Sequence, residues 1–412
     1  MTKTIARNLF VLLVSGSVSL AASTFNVKNF GAKGDGFSLD TLAFQNAVNA
    51  AQTNGGGVVL VPQGQYKIDP ITLASGINLH LEAGAVILLD DKRSRYPVVH
   101  NRYQDGITAT GCHDVQITGS GTIDGLGEAW WQAFRENPHM THRPYLVKFQ
   151  NCTNLTVTGV TFRNSPMFHL VTENCTDVKI FDVTIHAPEH APNTDGIDPS
   201  GWNYQILRCH IDTGDDDIAI KPDPHSGRSP GNRHFVVKDC VFGHGHGMSV
   251  GGGSAGGLED LRVTHCSFNH TDYGIRIKTL RGNGGLLQNC LYENLQMTAI
   301  QKSPISIQDY YPESNAPKDP ATETTAPIHD STPINRHLII RNLNATDCPN
   351  AGILRGLPEA PIEDVTFENV HLSARSGMVI DHARAIKFLH SSISTGKGPA
   401  LITYDAQVTG LK

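Results

Sequence analysis

The sequence predicts an all-β chain wound into a parallel β-helix, a solenoid of stacked coils with a capping helix at its N-terminal end. Three observations predict it. A strand–corner–strand phrase recurs along the chain: G-C-H-D-V-Q-I-T-G-S-G-T-I-D-G from residue 111, N-C-T-N-L-T-V-T-G-V-T-F-R-N from 151, N-C-T-D-V-K-I-F-D-V-T-I-H from 174, and further copies from 203, 234, 258, 284, 336 and 361. Within it Cys209, Cys240, Cys266 and Cys290 follow at 31, 26 and 24 residues, a period suited to coils that stack and too short for the separate sheets of a sandwich. Glycine makes up 40 of the 412 residues and charged residues only 17%, which does not suit a chain built from exposed helices.

The elements follow in chain order. Residues 1–22 begin M-T-K-T-I-A-R-N-L, pass through the apolar L-F-V-L-L-V and end in S-G-S-V-S-L-A-A. A basic start, a hydrophobic run and small residues make a secretory signal peptide, and the run is too short to span a bilayer. Cleavage is expected near Ala21 or Ala22, leaving a secreted or periplasmic protein with a single β-helix domain over 23–412 and no membrane in its mature form. F-N-V-K-N-F-G-A-K-G-D-G is turn-rich, S-L-D-T-L-A-F-Q-N-A-V-N-A-A-Q places apolar residues at helical spacing, and N-G-G-G-V-V-L-V-P-Q-G-Q-Y returns to strand. The helix is expected to cover the first coil, whose sheet edges would otherwise be open to pairing.

In the repeats, each coil buries its inward side chains on the same positions above and below, and asparagines at corners can pair amides with the next asparagine in the stack. Eight cysteines in an exported chain invite a disulfide reading. The four at matching places, and a second set of Cys112, Cys152 and Cys175, instead predict mostly ladders of buried thiols with at most one or two bridges. No C-x-x-C pair is present to seed a metal cluster. Two stretches interrupt the coils, 126–143 with Trp130 and Trp131, and the Pro/Thr-rich 311–333; such excursions commonly wall a solenoid's binding face. The net charge of −6, with both signs mixed throughout, gives no nucleic-acid footprint, and a monomer is expected.

The polar motifs fall at coil spacing. N-T-D-G-I-D occupies 193–198 and T-G-D-D-D 213–217, so Asp195 precedes Asp216 by 21 residues, about one coil; G-H-G-H-G at 243–247 and R-I-K at 276–278 follow on later coils. Alternation puts Arg276 and Lys278 on one face of their strand and Ile277 on the other. Crowded carboxylates raise the pKa of one member, so such a cluster can supply both a proton donor and a water-activating base, while the cations hold an acidic sugar. Each motif also has a plain structural reading: N-x-D-G as a turn, Asp215–Asp217 as hard oxygen ligands for calcium, G-H-G-H-G as a corner, R-x-K as a solvated face. Their joint occurrence at coil spacing favours the catalytic one.

N-T-D-G, G-D-D, G-H-G and R-I-K in this order resemble the signature of the pectin-degrading glycoside hydrolases typified by polygalacturonase. The likeness runs from F-G-A-K-G-D-G to the last coils. It implies a right-handed parallel β-helix, inverting hydrolysis of α-1,4-linked galacturonan by endo or exo attack, a cleft along one parallel sheet, a pectic polysaccharide or oligogalacturonide as partner, and no cofactor or metal. Carried over by residue, it implies that Asp215 gives the proton, that Asp195 and Asp216 activate water, that His246 assists them, and that Asn193, Arg276, Lys278 and Tyr310 bind substrate.

One departure stands out. Many members have cysteine after the aspartate pair, where this chain has Asp217. Strict alternation would send Asp215 and Asp217 to one side and Asp216 to the other, so the chain is expected to bend, with Gly214 permitting it and Asp217 turned inward or sideways onto a partner such as a backbone N–H. Other readings are a hydrolase of a related rhamnose- or xylose-containing backbone, a calcium-dependent lyase using an Arg or Lys base, and a non-catalytic carbohydrate-binding β-helix.

Overall fold

The computed structural model describes residues 23–221, 231–252 and 257–411. The signal-peptide reading falls on residues 1–22, outside them. The chain winds as a right-handed parallel β-helix, as expected. Each full coil contributes one strand to each of three parallel sheets. The first sheet includes 176–181, 202–207 and 233–238, the second 184–186, 210–212 and 241–242, and the third 197–199, 218–220 and 248–251.

Inward positions stack in register. In the first sheet Leu79, Ile117, Val157, Ile180, Ile206, Val237 and Val263 lie one above another, each at most 1% exposed. Burying each such side chain contributes about 1.5–3 kcal/mol, and because the strand repeat is two, a one-residue slip would turn the whole ladder outward. Aromatic rings continue the stacking, with Tyr204 on Phe235 at 4.5 Å and Phe242 on Phe268 at 4.6 Å. Corner asparagines behave as the sequence suggests. Asn174 donates to Asn151 at 2.8 Å and Asn369 to Asn342 at 2.9 Å, all four with positive φ, a region Asn tolerates better than most residues.

The first helix, α1 (Thr41–Thr53), buries Ala43, Phe44, Ala47, Val48 and Ala51 against the start of the solenoid. Asp40, just before it, accepts the N–H groups of Lys33 and Gly34 at 2.7 and 3.0 Å, which fixes the turn leading into the helix.

All eight cysteines are unbridged. Cys112, Cys152 and Cys175 stack at the entry to the first sheet, and Cys209, Cys240 and Cys266 at the entry to the second. Cys290 does not belong with them. It lies within the first sheet opposite Leu261, and the place above Cys266 is taken by Leu295, just before the Gln296 whose N–H bonds to the Cys266 carbonyl. Cys290 stands five residues before Leu295 and in a different sheet, so the interval of 24 residues from Cys266 joins two different inward positions.

Candidate active site

Ile197, Ile218, Met248 and Ile275 are in register on the third sheet and point inward, each fully buried. The residues just before them in chain order therefore form a column at the mouth of the turn leading from the second sheet. Asp195 and Asp216 lie side by side: Gly196 N–H donates to Asp216 O at 2.9 Å and Ile197 N–H to Asp217 O at 3.0 Å. His246 joins from the next coil, its N–H bonding to Asp215 O at 2.7 Å. Two glycines make this possible. A Cβ on Gly214 would sit 2.3 Å from Ala191 O, so this glycine is needed for close approach rather than for an unusual φ. Gly245, at φ +125°, would bring a Cβ to 2.7 Å from the Asp217 carboxylate.

The bend after Gly214 sorts the three consecutive aspartates. Asp215 faces the cleft; its Oδ1 accepts from Asp216 N–H at 2.9 Å and lies 3.0 Å from His246 Nδ1, while its Oδ2 accepts from Asn193 Nδ2 at 3.3 Å. Asp216 is nearly enclosed, with Ser249 Oγ donating at 2.8 Å, Arg276 Nη1 at 3.4 Å and Lys278 Nζ bound to the other oxygen. Asp217 turns inward, fully buried, accepting from Gly247 N–H at 2.9 Å and lying 3.1 Å from Thr213 Oγ1. The expected inward turn onto a backbone N–H is what the chain adopts.

Burial and neighbouring charge give the carboxylates different proton affinities. Burial pushes Asp195 well above the usual carboxylate range, against the pull of Lys221. Burial acts on Asp216 too, but Lys278, His246 and Arg276 outweigh it and hold this carboxyl well below that range. Asp215 is likewise lowered, the His246 contact overcoming burial. His246, despite its own burial, is raised to about 9 by Asp215 and Asp216. The unbound site thus holds a protonated His246 between two ionised aspartates.

Arg276 and Lys278 project together, with Ile277 inward in the core. Arg276 also binds Glu313 from the excursion after the third-sheet strand Ser303–Gln308, at 2.5 Å, and lies over the Tyr273 ring at 4.3 Å. Tyr310 departs from expectation. It is buried with Leu357 and Ala360, its hydroxyl donating to Gly356 O at 3.2 Å. The ring near the cations belongs to Tyr311, 5.3 Å from Lys278 Nζ and 5.9 Å from the Arg276 guanidinium. Extended backbone alternates sides, so adjacent tyrosines necessarily part company here.

The tryptophans of the 126–143 excursion lie on α2 (Glu128–Glu136) and are internal struts. Trp130 packs edge-on against Tyr96 and Tyr103, and Trp131 donates from Nε1 to Ser165 O at 2.9 Å. The same excursion supplies Arg143, unnoticed in the sequence, which is buried and donates to Asn193 Oδ1 at 2.7 Å. That bond fixes the amide so that Nδ2 points at Asp215. Lys221 was also missed, although alternation after Ile218 and Ile220 puts it on the outer face beside Asp195.

Asp215, Asp216 and His246 place three potential ligand atoms within 4.8 Å of one another. The oxygens of Asp216 are already engaged by Lys278, Ser249 and Arg276, so a metal ion there would have to displace two cations. The donor set fits proton transfer better than metal binding.

Comparison with known proteins shows the family. Residues 54–395 match the family model described as Glycosyl hydrolases family 28. The chain is 31% identical over 373 residues to a polygalacturonase of Juniperus ashei, covering 87% of this chain and 69% of that one. It is 29% identical over 388 residues to a probable polygalacturonase of Vitis vinifera, covering 88% and 77%. The fold superposes on an exopolygalacturonase from Thermotoga maritima with a TM-score of 0.78 at 24% identity, covering 92% of this chain and 93% of that one.

Proposed function

The chain belongs to glycosyl hydrolases family 28, and from that premise we propose that it hydrolyses the galacturonan backbone of pectin at α-1,4 linkages, with inversion. The observation that carries this reading is the convergence of Asp195, Asp215 and Asp216 from adjacent coils beside Arg276 and Lys278. Water attacks the anomeric carbon, the glycosidic C–O bond breaks, and the leaving oxygen takes a proton from Asp215.

His246 is the reservoir for that proton. In the unbound site the shared proton sits on the imidazole, and a uronate that lies nearer Asp215 than His246 raises the carboxyl's proton affinity more and so favours the proton's return to Asp215. On the other side, Asp195 has the higher affinity for a proton and accepts the one released by water, while Asp216 stays ionised and orients that water. Arg276, Lys278 and Tyr311 hold the carboxylate of the sugar next to the scissile bond. Such charge-assisted contacts in an enclosed cleft select galacturonate over neutral galactose. We further assign residues 1–22 to an export signal and 23–412 to one catalytic unit.

The test is release of reducing ends from polygalacturonate in excess EDTA, with ultraviolet absorbance followed for unsaturated uronides. Undiminished release without an unsaturated product is expected. Loss of activity on chelation, or an unsaturated end, would replace hydrolysis by elimination. Product lengths from defined oligogalacturonides distinguish internal from terminal attack.

A further inference from the structure

Asp195 does not stand alone. Lys221 Nζ lies 2.7 Å from Asp195 Oδ2 and 2.7 Å from Asp198 Oδ2, and both carboxylates are 3% exposed. The remaining oxygens, Asp195 Oδ1 and Asp198 Oδ1, are buried without a hydrogen-bond partner. The ammonium also sits 3.6 Å from the centre of the Phe168 ring, which fixes its height in the cleft.

Two buried carboxylates thus divide one cation, and each leaves one oxygen free. From this geometry we infer that Lys221 and Asp198 are positioning residues for the reaction. Together with Asp195 they form a three-membered base unit, in which Lys221 anchors Asp195 Oδ2 so that Oδ1 alone takes the water's proton, and Asp198 limits how strongly the ammonium holds Asp195 ionised. This deepens the hydrolase reading above and rests on it.

Among the described residues the other groups around the unit are few. Asp215 and Asp216 on the following coil raise the proton affinity of Asp195, while Arg143 faces Asp195 from the excursion carrying α2. His169, beneath the Asp195 backbone, is fully buried and lowered to about 4, so it is neutral in the working range. Tyr145 is a further titratable neighbour among the described residues, facing Asp198 and Lys221. Asp198 itself is raised to about 6 by burial, against the pull of Lys221.

The unit predicts shifts of opposite sign, which a merely structural role would not produce. Removing the cation in Lys221→Met makes Asp195 harder to ionise. Removing the competing carboxylate in the isosteric Asp198→Asn leaves the ammonium to Asp195 alone and makes it easier. The experiment compares pH profiles of kcat/KM on polygalacturonate for wild type and both variants, with folding checked by thermal unfolding. It also follows the carboxyl carbon resonance of Asp195, assigned by its loss in Asp195→Asn. We expect the acidic limb and the resonance midpoint to rise by about one pH unit or more in Lys221→Met and to fall in Asp198→Asn, with KM changing less than kcat. Lys221→Arg, which keeps the charge, should show little of the shift. Shifts in the same direction, no shift, or a change in KM alone would overturn the unit. An inactive wild type would refute the hydrolase reading instead, and the resonance titration would still decide on the unit. Should Lys221→Met fail to fold, the downward shift of Asp198→Asn decides alone.

Discussion

Replacing Asp217 by Asn tests the sorting of the three aspartates most directly. Asp217 is fully buried, and burial pushes its carboxyl well above the usual range, so it is neutral where its neighbours are charged. Its surroundings suit a neutral acid. Gly247 N–H donates to Oδ2 at 2.9 Å, while Thr213 Oγ1, 3.1 Å from Oδ1, can donate instead to Asp215 O at 3.2 Å and accept the acid proton. An asparagine side chain repeats both roles, its oxygen accepting from Gly247 and its NH2 donating to Thr213. At pH 4 the variant should therefore lie within about 1 kcal/mol of wild type, the net worth of a single hydrogen bond. The pH dependence carries the sign. An acid raised on folding favours the native state fully below its unfolded pKa, and that contribution is lost as pH rises through the folded value. Asn has no proton to lose, so the variant should gain on wild type as pH rises from 4 to 8, in thermal or urea unfolding. Hydrolysis of polygalacturonate should stay within a few-fold of wild type. A stability deficit that widens with pH would mean that Asp217 is ionised and paired. Activity as low as that of Asp215→Asn would mean that the catalytic pair lies one residue further along.

Three more outcomes follow from the same geometry. Asp215→Asn keeps the side chain's shape and the contact its one oxygen can accept, either from Asp216 N–H or from Asn193, but removes the transferable proton, and should lower kcat about 10²–10⁴-fold on polygalacturonate, measured as reducing-end release. Glu313→Gln frees Arg276 from a competing carboxylate and should lower KM severalfold for oligogalacturonides while leaving kcat nearly unchanged; an unaltered KM would show that Arg276 does not meet the substrate. Tyr311→Phe or Tyr311→Ala should raise KM, whereas Tyr310→Phe should leave KM alone and cost about 1 kcal/mol in unfolding experiments, through its lost bond to Gly356.

Much of this architecture is written in local pattern. Alternation over R-I-K puts Arg276 and Lys278 together, and the interval from Asp195 to Asp216 is one coil without insertion, so both could be placed from the sequence. Where an insertion breaks the period, pattern fails. The coil after Cys266 runs 29 residues to Leu295 against 26 in the coil before it, and Cys290, which falls short of that place, consequently passes for a fourth member of a ladder it does not join. Tyr310 and Tyr311 open the long excursion, where an isolated antiparallel bridge from Leu280 to Tyr310 sets which side each faces; it buries Tyr310 and leaves Tyr311 beside the cations, a long-range pairing that local pattern does not show. Arg143 reaches Asn193 across 50 residues from an excursion without periodicity, a contact that only the folded chain reveals. Lys221 was within reach, since the same alternation that places Arg276 also places it, yet a lone lysine after a strand announces nothing until its two carboxylates are seen.

The in-register third sheet has one more consequence, for protein engineering. Adjacent strands are about 4.8 Å apart, so the sheet is a ruler laid along the cleft, with one graduation per coil and a pyranose of nearly the same length to measure. On that ruler the acid–base aspartates occupy two neighbouring marks, His246 the next and the Arg276–Lys278 pair the one beyond. Inserting a whole coil between the last two marks would preserve every inward ladder while moving the charge reader one sugar further from the point of cleavage, and would need a new cation on the inserted coil to take the place of Lys278 beside Asp216. The solenoid's repetition thus lets the spacing between cutting and reading be edited in whole sugar units, a change that a globular active site, built from elements that cross one another, does not permit.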